Sequence, residues 1–262
     1  MKVYIILVLA LFSQVESFAQ HHFFPNSGTI TYERKFHLQN YLKRNYMNKK
    51  NLDIWDNMSV EYLAKNGPTE IVTKHTLKFF DSETLFETVK EEYPVNYRGA
   101  FEYLPVLHES KTYTNFAKSS FTKLLTYGDD ELLLSDSIPA VKWKYTDEYR
   151  TIAGYECRRA NGVIQDSIYV VAFFTNQLAI PAGPELIQGL PGVIMGISIP
   201  EFNINMFATA VQLTNDPVSA TLTKKKKIVP QNKIEIEKLL KSTIGRWYDD
   251  KNFKKQLSKV YF

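Results

Sequence analysis

A turn leads directly into a strand in the segment Gly189-Leu190-Pro191-Gly192-Val193-Ile194-Met195-Gly196-Ile197-Ser198-Ile199. Its first half predicts a type II turn, because Pro191 presets φ at the second turn position and Gly192 supplies a positive φ at the third. Its second half predicts a buried strand with alternate apolar residues on one face. A second rigid stretch, Ile180–Pro184, stands upstream. We refer to residues 180–192 as the bracket. Turn chemistry favours a tight loop that sets the register of the strand, and a shaped binding surface is the alternative.

Short strands separated by turns follow one another through most of the chain. Apolar and polar residues alternate in a way that predicts strands over residues 29–38, 70–80, 84–89, 112–116, 121–127, 131–134, 141–145, 155–161, 167–175, 193–199 and 204–213. Turns are expected at Asp81-Ser82, Gly128-Asp129-Asp130 and Asn161-Gly162. Residues 39–68 predict one or two short helices or, alternatively, a long excursion between strands. The expected fold is mainly β (α+β), a curved antiparallel sheet or open barrel-like meander with a few helices.

The C-terminal part predicts an amphipathic helix. Asn232 and Glu235 have the spacing of a capping box. Apolar-face residues then recur at helical spacing, namely Ile236, Leu239, Leu240, Thr243, Ile244 and Trp247. We expect this stripe to pack on the sheet, with a basic membrane-surface helix as the alternative. From about residue 221 the chain holds twelve Lys or Arg and four Asp or Glu, a net charge of +8, so the remainder of the chain carries −4 and the basic character belongs to this helix and tail alone.

The N-terminus has the pattern of a secretory signal peptide. Lys2 precedes the apolar run Val3–Phe12, and Ser17 and Ala19 place small residues at the −3 and −1 positions. The apolar run is shorter than the about 20 residues that span a bilayer, although a membrane anchor is the alternative. We therefore expect cleavage after Ala19. Residues 20–262 would then form a single β-rich domain without a transmembrane segment, periplasmic or extracellular.

The sequence lacks the common catalytic motifs, including the GxSxG, P-loop, GxGxxG and HExxH patterns. Cys157 is the single cysteine, so no internal disulfide forms. Flanking Arg158 and Arg159 could favour its thiolate, but a buried free thiol in a strand fits better. His21 and His22 lie beside the expected new N-terminus, where a Cu(II) site or a disordered end would fit. We expect no cofactor, no bound metal and no nucleic-acid partner.

One set of residues resembles a known family signature. It comprises Ala172-Phe173-Phe174-Thr175, Ile180-Pro181, Gly183-Pro184 and Gly189-Leu190-Pro191-Gly192-Val193-Ile194, preceded by the block Ile152–Ala160. Together these segments resemble the GLPGLI family. The sequence departs from the family at Val193, where the family name has Leu, and at Phe173, where Trp is expected. The resemblance implies an exported protein of Bacteroidota, in a family whose biochemical function is unassigned.

The expected function is a binding or carrier protein of the cell envelope, for an apolar ligand or an envelope protein partner. Ligand pockets are mostly apolar, and a rigid loop rich in proline and glycine could shape one. The expected contact residues are Phe173, Pro181, Pro184, Leu190 and Pro191. Two alternatives stay open. The protein could be a thiol-dependent enzyme or redox protein using Cys157, or a structural accessory of an outer-membrane complex.

Overall fold

The computed structural model describes residues 25–47, 54–97, 100, 109–127, 130–165, 167–223 and 228–243. Several predictions lie outside these residues. They concern the signal peptide at residues 1–19, the histidines His21 and His22, most of the turn at Gly128-Asp129-Asp130, and the helix beyond Thr243.

Eleven strands form one antiparallel sheet within the described part of the chain. They are β1 Ser27–Phe36, β2 Ile71–Phe80, β3 Glu83–Thr88, β4 Lys111–Asn115, β5 Ser120–Tyr127, β6 Asp130–Ser137, β7 Lys142–Ile152, β8 Tyr155–Ile164, β9 Ile168–Thr175, β10 Val193–Ile199 and β11 Ile204–Gln212. Their order across the sheet is β6-β5-β4-β3-β2-β1-β11-β10-β9-β8-β7. The predicted curved antiparallel sheet is thereby confirmed.

The sheet curls so strongly that its two edges approach each other. In a flat sheet, ten strand spacings would separate β6 from β7 by about 48 Å. Yet only residues 138–141 connect these two edge strands, and such a link spans at most about 19 Å. Shifts of register mark bulges in β7, β10 and β11, and bulges bend strands and increase their twist. We call the junction bridged by residues 138–141 the seam.

Among the described residues, three helices accompany the sheet: α1 Leu38–Leu42, α2 Ile54–Asn66 and α3 Lys233–Thr243. A π-helical turn, Lys43–Met47, continues α1, and short 3-10 turns lie at Val95–Tyr97 and Pro200–Phe202. In the part of the chain that the structure describes, no helix combines the length and the apolar character that a membrane crossing requires.

The N-terminus of α3 confirms the predicted capping box. The Glu235 amide donates to Asn232 Oδ1 at 3.0 Å, and the Asn232 amide donates to Glu235 Oε2 at 2.8 Å. Ile236, the first residue of the apolar stripe, is buried in a cluster with Phe121 of β5 and Leu134 of β6. The described part of the stripe therefore packs on the sheet.

The turn predicted at Asn161-Gly162 is wrong, because both residues lie inside β8. Trp143 of β7 is the register partner of Gly162, and a Cβ at Gly162 would lie 2.7 Å from the indole ring. The absence of a side chain at Gly162 therefore lets the indole pack directly on the backbone of β8, and the strand continues past this residue. The chain reverses only after Ile164.

Candidate functional site

The bracket runs through the interior of the curled sheet between β9 and β10. Residues 182–188 are buried without interruption. The Ile194 amide donates to the Ala182 carbonyl at 2.8 Å, and the Val193 amide donates to the Leu178 carbonyl at 3.1 Å. From β1, two strands away from β10 in the sheet, the buried Tyr32 hydroxyl donates to the Ile194 carbonyl at 2.7 Å. Because a buried loop must satisfy its backbone polar groups, these bonds make the bracket part of the core.

The turn at the end of the bracket is tighter than predicted. The Gly192 amide donates to the Leu190 carbonyl at 2.8 Å, which closes a three-residue turn centred on Pro191. The type II assignment is therefore wrong, although Gly192 has the expected positive φ, at +148°. A Cβ at Gly192 would overlap the carbonyl oxygen of Thr175. Glycine is required here because the end of β9 passes directly against the turn.

The five residues predicted to contact a ligand do not form one surface. Pro184 and Leu190 are buried in the bracket, Pro181 is partly buried, and Pro191 is exposed. Phe173 is buried on the other face of the sheet, where its ring lies near Phe207 at 6.4 Å between centroids. Their role in binding stays a prediction, and the structure brings only the four bracket residues together.

Glu185 places a carboxylate in the interior. Its Oε2 accepts hydrogen bonds from Ser110 Oγ at 2.6 Å and from Lys123 Nζ at 3.0 Å. The side chains of the Glu185–Lys123 ion pair are 5% and 3% exposed. Glu185 also has a φ of +56°, which residues other than glycine rarely adopt. This ion pair ties the bracket, in the second half of the sheet, to β5 in the first half.

Buried polar residues continue across β1 and β2. Arg34 Nε donates to Thr73 Oγ1 at 3.0 Å, and the same oxygen lies 3.0 Å from His75 Nε2. Burial, followed by the charge of Arg34, holds the pKa of His75 well below its usual value. Burial also lowers the pKa of Arg34, while the carboxylate of Glu185 opposes that change. The imidazole is therefore neutral near pH 7, and the Arg34 guanidinium is the group of this cluster whose charge interacts with Glu185 of the bracket.

Sequence reasoning missed the pair formed by Lys123 and Glu185. The available signal was strand parity, because Lys123 shares a face with the buried Phe121. Arg34 gave the same signal, since it interrupts the apolar face of β1. A charged residue at a buried position implies a partner inside the core.

A cavity of about 240 Å³ lies at the seam, beside the bracket. Leu186 and Ile187 of the bracket form one wall. The other lining residues come from four further segments, and they are Phe121, Asp136, Ser137, Pro139, Ala140, Val141, Ile164, Gln165 and Lys233. Most of this lining is apolar, with a smaller polar portion around the edges of the sheet.

The polar side of the cavity is held by Asp136. Its carboxylate accepts hydrogen bonds from the Lys233 amide at 3.0 Å and the Ser137 amide at 2.7 Å. These bonds lower the pKa of Asp136, the Lys233 amide contributing most. Gln231 also exchanges backbone hydrogen bonds with Leu133 and Ser135 of β6, both at 2.8 Å. The segment that leads into α3 thus covers the β6 edge and closes one end of the cavity.

Cys157 does not have the environment of a nucleophile. Its side chain is buried, and burial raises the pKa of the thiol to about 12. The neighbouring Arg158 is engaged elsewhere, donating to the Thr146 carbonyl at 2.7 Å. Because the thiolate is the reactive form, this cysteine is inert near pH 7. Within the described ranges, no group of three or more His, Cys, Asp or Glu residues is placed to hold a metal ion.

Comparison with protein families finds one match. A family model described as "N-glycanase peptide, N-terminal domain" matches residues 48–239, which is well over half of the chain. No curated protein matches the sequence significantly.

Comparison with solved structures finds the same fold in a protein titled PNGF-II, in C2 and P21 space groups. The TM-scores are 0.53 and 0.51, with 14% sequence identity, and each match covers 82% of this chain. The match covers only 32% and 33% of the PNGF-II chains, so this chain spans about a third of their length. At this identity the likeness concerns the fold alone.

Proposed function

Because the chain belongs to the family described as N-glycanase peptide, N-terminal domain, we propose that it is a binding domain for glycoproteins. The cavity at the seam, beside the bracket, is the observation that carries this proposal. Leu186 and Ile187 of the bracket line this cavity, so a bound group would contact the bracket there. In this proposal one ring-sized group of the partner enters the cavity, and the neighbouring sheet edges contact the rest.

The size of the cavity favours a protein partner over a free lipid. Sites that enclose a whole small molecule usually measure about 300–1,000 Å³. At about 240 Å³, the seam cavity falls below that range and is too small for a long acyl chain. Of the two expected ligands, an apolar small molecule or a protein partner, the second is therefore the better fit. A single ring with one apolar and one polar side matches the mixed lining.

We further propose that the protein is exported, periplasmic or extracellular, and that residues 20–262 act as one domain. The signal-peptide pattern of residues 1–19 supports export. We also propose that the chain is related to the GLPGLI family. Its signature would then correspond to the turn at Gly189–Ile194, where Gly192 fits beneath Thr175.

A paired substitution tests the proposal. Ala140 lines the cavity and is itself exposed, so Ala140→Phe should fill the space at little cost to folding. Ala210→Phe is the matched control, since Ala210 is exposed on β11 and does not line the cavity. Surface plasmon resonance against an immobilised N-glycoprotein measures binding, and circular dichroism checks the fold.

We expect the wild type and Ala210→Phe to bind equally, and Ala140→Phe to bind about tenfold more weakly, as truncating or blocking a central contact typically does. If the wild type binds no N-glycoprotein, or if Ala140→Phe binds as the control does, the proposal is wrong.

A further inference from the structure

An aromatic row leads away from the seam cavity along β7. Val141 lines the cavity, and Trp143 and Tyr145 follow at intervals of two residues. Alternate residues of a strand share a face, about 6.7 Å apart. Beyond the bulge in β7, Tyr149 pairs with Arg158, whereas Tyr145 pairs with Ala160. Arg158 and Ala160 are two residues apart on β8 and share a face, so Tyr145 and Tyr149 share that face as well. We call Trp143, Tyr145 and Tyr149 the aromatic track.

The track lies on the inner face of the sheet where that face opens to solvent. Ala160 and Gly162, the register partners of Tyr145 and Trp143, are both buried. Tyr145 and Tyr149 are nevertheless 46% and 53% exposed, since β7 is the edge strand. Exposed aromatic rings on a concave surface provide large, rigid contact area at low entropic cost.

Trp143 is held as a flat platform. Its Nε1 donates to the Gln188 carbonyl of the bracket at 3.0 Å. The indole ring lies against Gly162, where a Cβ would approach it to 2.7 Å. Trp143 is only partly buried, so part of the indole stays in contact with solvent. The bracket and Gly162 together therefore orient the platform next to the cavity.

The charges around the track are largely matched. Arg158 lies over the rings of Tyr145 and Tyr149, at 5.5 and 5.9 Å from the two centroids. It also forms an ion pair with Asp147 at 3.1 Å. Lys144 pairs in register with Asn161, so it belongs to the other face of the sheet. The track thus offers fixed donors and acceptors without a strong net charge, which disfavours a phosphate or an anionic membrane as the occupant.

We propose that the aromatic track and the seam cavity together bind an uncharged oligosaccharide, with one sugar ring in the cavity and the following rings stacked along β7. Sugar rings combine apolar C–H faces, which suit aromatic rings, with hydroxyl groups that donate and accept hydrogen bonds. This inference rests on the proposed function, and it names the glycan as the part of the glycoprotein that is recognised.

The test uses the full chain and a free high-mannose N-glycan as the probe, with binding measured by isothermal titration calorimetry. Tyr149→Ala removes an exposed ring of the track. Tyr169→Ala is the matched control, because Tyr169 is 44% exposed but faces the other side of the sheet as the partner of Val163. Gly162→Ala should displace the indole of Trp143, which the indole N–H resonance reports by NMR.

We expect the wild type and Tyr169→Ala to bind the glycan equally, and Tyr149→Ala and Gly162→Ala to bind about tenfold more weakly. Equal binding by Tyr149→Ala and Tyr169→Ala would overturn the inference. So would binding of an intact glycoprotein together with no binding of its free glycan, a result that leaves the proposed function standing. If the intact glycoprotein does not bind at all, the proposed function fails and this inference fails with it.

Discussion

Lys123→Met should destabilise the protein far more than the loss of a surface charge. The substitution leaves the Glu185 carboxylate 95% buried with two hydroxyl donors, Ser110 at 2.6 Å and Thr112 at 3.4 Å. Removing one partner of a buried ion pair typically costs about 3–5 kcal/mol, because it leaves an uncompensated charge. For a domain of this size, that loss lowers the melting temperature by about 6–20 °C. Urea unfolding followed by circular dichroism measures the change in free energy.

Two further variants make this prediction specific. Lys123→Met combined with Glu185→Leu removes both charges and should recover most of the lost stability. Lys90→Met breaks the exposed ion pair between Lys90 and Glu109, and we expect no resolvable change. Exposed ion pairs contribute less than about 1 kcal/mol. If Lys123→Met lowers the free energy of unfolding by no more than that, the buried ion pair does not anchor the bracket to β5.

Three more predictions concern single residues. Gly154→Ala should lower the free energy of unfolding by about 1–2 kcal/mol, because its φ is +85° although the space around it is open. Gly192→Ala should lower it clearly more, because the added Cβ would overlap Thr175. Equal melting temperatures for the two variants would contradict this. Cys157 should resist thiol reagents at pH 8 in the folded protein and react in urea, and stoichiometric labelling of the native state would contradict its burial. Because burial lowers the pKa of His75, the unfolded chain binds a proton near pH 6.5 that the folded chain does not. The free energy of unfolding should therefore fall as the pH drops below about 6.5. His75→Gln should reduce this pH dependence. If the pH dependence of the variant equals that of the wild type, His75 is not the group responsible.

Much of the fold could be predicted because alternation is a local property of the sequence. Each predicted strand has a counterpart in the structure, and the strand Val193–Ile199 agrees at both ends. The capping box at Asn232 and Glu235 was equally local. The curl of the sheet was less accessible, because it depends on bulges such as the one between Tyr145 and Tyr149, which have no clear sequence signature.

The candidate site was harder to predict because it is assembled from distant segments. The cavity combines Phe121, Val141 and Leu186, whose proximity depends on the curl of the sheet. Gly162 shows how packing overrides local chemistry. Asn-Gly is a strong turn signal, but here the glycine makes room for the indole of Trp143. The bracket was recognised from its prolines and glycines, whereas the ion pair that anchors it required knowledge of its partner on β5.

The most direct test of the account compares one N-glycoprotein before and after enzymatic removal of its glycans. Binding of both forms to the wild-type chain would be measured by surface plasmon resonance under identical salt conditions. A binding domain that takes a sugar ring in the seam cavity should bind the glycosylated form at least about tenfold more tightly, a difference of about 1.4 kcal/mol. Equal affinity for the two forms, or no binding of the glycosylated form, would contradict the account.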